Sequence, residues 1–102
     1  MIRGESIVSE RVRTLHPAGK QGVNIDKEKY DQVKRAILAS IEARGQIPFR
    51  ELTAAVESNL DEPFDGSIGW YTTTVKLDLE ARGMIERVPK KSPQVLRLGQ
   101  GF

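Results

Sequence analysis

The stretch LEARGMIERVPKK, residues 79–91, decides the fold. Leu79 and Ala81 close a segment with helical spacing, and Gly83 can adopt the left-handed conformation on which helices end. MIERV then alternates apolar and polar residues as a half-buried strand does, PKKSPQ turns, and VLRL returns as a second strand. A helix is therefore expected to run through a sharp exit straight into a β-hairpin.

Upstream of this junction, the helix should span Ile68–Arg82. Projected at ~100° per residue, it carries two apolar stripes. Ile68, Tyr71, Val75 and Leu79 form one, and Trp70, Thr74, Leu77 and Ala81 form the other on nearly the opposite side. Gly69, Thr72, Thr73 and Lys76 make up the remaining polar strip. The loop DEPFDGS precedes the helix and offers Asp65 or Ser67 as its cap. In FRELTAAVESNL, Leu52, Val56 and Leu60 recur every four residues and predict a second helix. Pro48 stands at its entry and confines any strand in QIPF to a sheet edge.

KEKYDQVKRAILASIEAR carries Tyr30, Val33, Ile37 and Ile41 on one face, with Asp26 as its cap and Gly45 as its stop. Before it, HPAGKQGVN reads as a loop. Val8, Val12 and Leu15 suit either one helical face or a short strand. Three regions follow: residues 1–25 form an N-terminal arm packing on the domain or a partner, residues 26–98 the domain itself, and residues 99–102 a tail.

Composition excludes several kinds of chemistry. Hydrophobic residues at 38% and charged residues at 29% suit one soluble globular domain of 102 residues. Cysteine is absent, which removes disulfides, thiolate metal sites and cysteine catalysis. His16 is the single histidine and cannot by itself define a zinc site or a catalytic triad. AGKQG lacks the glycine spacing and the Ser or Thr after Lys20 that a phosphate loop needs. Asp61, Glu62 and Asp65 do not follow EF-hand spacing, and Asp78 and Glu80, two apart on a helix, point to different sides. We therefore expect no enzyme, no cofactor and no metal. The N-terminus has no continuous apolar stretch and no long apolar run spans a membrane, so a cytoplasmic protein is expected.

The net charge of +2 is unevenly distributed. Residues 51–65 hold Glu51, Glu57, Asp61, Glu62 and Asp65 and no cation. Residues 82–98 hold Arg82, Arg87, Lys90, Lys91 and Arg97 against Glu86 alone. A phosphate ligand would favour the second region and avoid the first.

Helix, short strand, helix, helix and β-hairpin, with LEARGMIERV at the junction, resembles the winged helix-turn-helix superfamily over roughly residues 26–98. HPAGKQGVNIDKEKYDQVKRAIL, GSIGWYTTTVKLDLEARGMIERVP and SPQVLRL are also similar to a family of small uncharacterised bacterial proteins assigned to that fold. The resemblance implies an α+β fold, a three-helix core with a C-terminal hairpin wing. In such proteins the third helix enters the major groove of double-stranded DNA and the wing contacts phosphate. Carried over by position, it implies DNA contacts from Thr72, Thr73 and Lys76 on the helix and from Arg87, Lys90 and Lys91 on the wing, as in a transcriptional regulator. A second expectation competes with it. Trp70 and Leu77 need cover, which the arm could supply through Ile7, Val8, Val12 and Leu15, or a homodimer partner or another protein could supply instead. The chain would then be a protein-interaction module without DNA binding.

Overall fold

The computed structural model describes residues 10–99, and these form an α+β structure of three helices and two small antiparallel sheets. In chain order the elements are β1 (Arg11–Arg13), β2 (Asn24–Asp26), α1 (Lys27–Arg44), β3 (Gln46–Pro48), α2 (Phe49–Asn59), α3 (Ile68–Ala81), β4 (Ile85–Arg87) and β5 (Val95–Leu98).

Local chemistry sets most boundaries. Asp26 caps α1, its carboxylate accepting from the Lys29 backbone N–H at 3.3 Å. Gly45 ends α1 at φ 82°, and its N–H donates to the Ile41 carbonyl at 2.7 Å. Pro48 precedes α2, where its missing N–H costs nothing. Ser67 caps α3 by accepting from the Trp70 N–H at 3.1 Å, so the hydroxyl rather than Asp65 takes that role.

The three-stranded sheet has the order β3-β5-β4, with the strand containing Pro48 at an edge. Register places Ile47 opposite Leu96 and Ile85 opposite Leu98. Ile47, Leu96 and Ile85 thereby turn inward to meet Val33, Ile37 and Ile41 of α1, Leu52 and Val56 of α2, and Val75 and Leu79 of α3. Each such side chain stabilises the fold by ~1.5–3 kcal/mol when fully withdrawn from water.

Of the two readings open for the arm, the strand is the one formed. β1 pairs with β2, Val12 packs against the core, and Ile25 is buried within it. Ile7 and Val8 lie outside the described residues.

Candidate functional site

The outward face of α3 differs from the expected strip. Thr72 is completely buried and Lys76 is only 2% exposed, whereas Thr73 faces solvent. Thr72 lies only ~60° around the helix from Val75, so it enters the core with the first stripe. Lys76 is covered from two other directions. The Phe49 ring of α2 lies 4.6 Å from its ammonium, and Glu80 one turn later meets it at 2.6 Å, off the direction of a hydrogen bond. Burial pushes the Lys76 ammonium below its ordinary value, and Glu80 offsets part of that. Glu80 also accepts from Arg87 Nε at 3.0 Å, which joins α3 to β4. Thr72 and Lys76 are therefore interior residues and present nothing to an external ligand, a correction to the expected base-reading strip.

The second stripe forms the real outer face. Trp70 is 48% exposed, and Thr74, Leu77 and Ala81 are half-buried. An edge-on aromatic chain steadies the indole, with Tyr71 at 4.9 Å from Trp70 and Phe64 at 5.1 Å from Tyr71. Beside this face runs the loop joining β1 to β2. Together they enclose a shallow groove of about 160 Å³, lined by Leu15, His16 and Val23 on one wall and Trp70, Thr74 and Leu77 on the other.

The arm wall is held firmly. Thr14 N–H donates to the Val23 carbonyl at 2.9 Å, and Val23 N–H donates to Thr14 Oγ1 at 3.0 Å. A Cβ on Gly22 would lie 1.8 Å from the Thr14 carbonyl oxygen, so only glycine closes the loop. His16 stays within the loop, its Nδ1 accepting from the Ala18 N–H at 3.0 Å.

Asp78 anchors this wall to the body. Fully buried, it accepts from the Leu15 backbone N–H at 2.8 Å, from Arg82 Nε at 2.8 Å, and from the Tyr30 hydroxyl. Burial and the Asp78 carboxylate push the Tyr30 phenol well above its ordinary value. The sequence held one clue to this hub: a carboxylate three residues after Val75, one before Leu79 and four before an arginine. Val23 had no such clue, since it lies in an aperiodic loop.

The segment from the end of α3 through the β4–β5 hairpin retains few available cations. Arg82, Arg87 and Arg97 engage Asp78, Glu80 and Glu86 respectively. Lys90 and Lys91 are exposed in the β4–β5 turn and have no ion-pair partner among the described residues. A second and larger cavity, about 490 Å³, lies between α1 and the end of α2 and is bordered by Glu28, Asp31, Arg35, Asp61 and Glu62. Among the described residues no group of three His, Cys, Asp or Glu side chains could hold a metal ion, and no helix is long and apolar enough to cross a membrane.

No curated protein and no solved structure matches the chain. The family of unknown function DUF6958 matches residues 11–96, a span running from the arm wall of the groove through α3 to the returning strand, and the chain belongs to that family.

Proposed function

We propose that this chain is a non-enzymatic protein-interaction module on a winged-helix-type scaffold, and that it binds its partner in the groove between the arm loop and α3. The scaffold reading is supported by the order of helix, edge strand, helix, helix and hairpin, with β5 completing a sheet with β3. One observation carries the function. The large hydrophobic side chains exposed among the described residues are Leu15, Val23 and Trp70, and all three line this one groove. Scattered exposed apolar residues need no explanation, but apolar residues gathered on a braced concave surface mark a recognition site. Trp70 on its wall, braced by Tyr71, is of a residue type enriched among the side chains that dominate binding energy.

Selection of a random peptide display library on the immobilised full chain tests the proposal. Binders are expected to be enriched on the parent chain and absent from a Trp70→Ala chain. Enrichment that ignores Trp70 would overturn it.

A second reading, double-stranded DNA binding, is favoured by exposed Lys90 and Lys91, with Arg87 beside them and Thr73 in the open. It has less support. Thr73 is the single hydroxyl left on the expected strip's outer side, and Arg87 is already engaged by Glu80. On this reading, low-salt anisotropy with mixed-sequence duplexes shows binding that disappears in a Lys90→Ala, Lys91→Ala chain.

A further inference from the structure

Charge around the groove narrows the identity of its occupant. Every lining residue comes from segments 13–23 and 68–77, which contain no Asp or Glu. Arg13 and Lys20 on the arm are exposed and have no ion-pair partner among the described residues. The remaining cation of these segments, Lys76, is buried against Glu80 and adds nothing to the rim. The arm segment that supplies one wall therefore carries only positive charge, on Arg13 and Lys20, which adjoin the lining residues Thr14 and Gln21 in sequence.

From this we infer that the groove takes an acidic peptide segment of a partner protein, with one or two large apolar side chains seated against Trp70 and flanking carboxylates facing Arg13 and Lys20. The inference rests on the interaction-module reading and adds the chemistry of the partner. Two arguments favour this occupant. Apolar anchors recover the area that Leu15, Val23, Trp70 and Leu77 leave partly wet, which a sugar-phosphate backbone cannot do. Carboxylates complement the rim and speed encounter.

The peptides enriched by the display selection provide the probes. Their consensus should pair Leu, Phe or Trp anchors with Asp or Glu flanks. A fluorescein-labelled peptide of that consensus should lose about 30-fold in affinity to the Trp70→Ala chain. It should lose about tenfold to an Arg13→Glu, Lys20→Glu chain, and by a similar factor when its flanking carboxylates become amides. Added salt should weaken it in the same direction. Trp70-dependent peptides with neutral or basic flanks, or affinity unmoved by charge reversal at residues 13 and 20, would overturn the inference while leaving the interaction reading standing. Absence of any Trp70-dependent peptide would sink both. Duplex DNA that displaces the labelled peptide, or a sedimenting mass that rises with concentration in the parent chain but not in Trp70→Ala, would assign the groove to nucleic acid or to a second copy and overturn the inference.

Discussion

Asp78 is the residue on which the arm depends. Its carboxylate binds a backbone amide of the arm, a hydroxyl of α1 and a guanidinium of its own helix. Replacement by Asn keeps the volume but removes the charge that strengthens all three contacts. Asp78→Asn should cost about 3 kcal/mol in urea unfolding and accelerate hydrogen exchange at the Leu15 amide. The pH response of Tyr30 follows from the same contact. A phenol whose folded pKa is raised contributes stability that is complete below its ordinary value of 10 and is lost as pH climbs above it. Stability should therefore fall in the alkaline range, and Tyr30→Phe should remove that fall. Lys76 acts with the opposite sign. Its lowered pKa means that stability rises as pH approaches the ordinary lysine value from below, and the Tyr30→Phe background exposes that rise. Thr72 offers a further check. Its buried hydroxyl has no hydrogen-bond partner among the described residues, so Thr72→Val should stabilise the fold by about 1 kcal/mol. Because the side chain has no solvent exposure, ligand affinity should not change.

At the scale of the element, α3 separates what a sequence discloses from what it conceals. Its cap at Ser67, its exit near Gly83 and the hairpin beyond are local events, governed by residues within a few positions of one another. They were legible for that reason, as were α1 and the edge placement of Pro48. The buried arc of the helix is a tertiary quantity. It reaches from Asp78 through Val75 and Thr72 to Lys76, because α1, α2 and β4 all pack on it. No periodicity within α3 reveals that Phe49 from another helix will cover Lys76. The ion pair beneath that ring yields an asymmetric prediction. Lys76→Met leaves Glu80 neutralised by Arg87 and should change stability by less than about 1 kcal/mol. Glu80→Ala strands a buried ammonium and should cost about 3–5 kcal/mol in the same unfolding assay.

For the molecule as a whole, the core and the proposed recognition groove occupy different surfaces. The core is formed by inward faces of three helices and the three-stranded sheet, whereas the groove uses the side of α3 that faces away from it. Trp70→Ala should accordingly shift the unfolding midpoint by less than about 1 kcal/mol in free-energy terms while removing the peptide binding described above. The arm contributes half of that surface, and its helical and strand readings could not be separated beforehand. Only pairing with Asn24–Asp26, supplied by a segment beyond the loop, decides in favour of the strand.

The way the loop is tethered has an evolutionary corollary. Leu15 and Val23 are gripped through their main-chain amides, by Asp78 and by the Thr14 hydroxyl. Neither grip depends on what projects from those two positions. Sequence drift there can therefore remodel the shape of the slot while the frame stays intact, so under the proposed interaction role one scaffold could acquire new clients by exchanging two side chains.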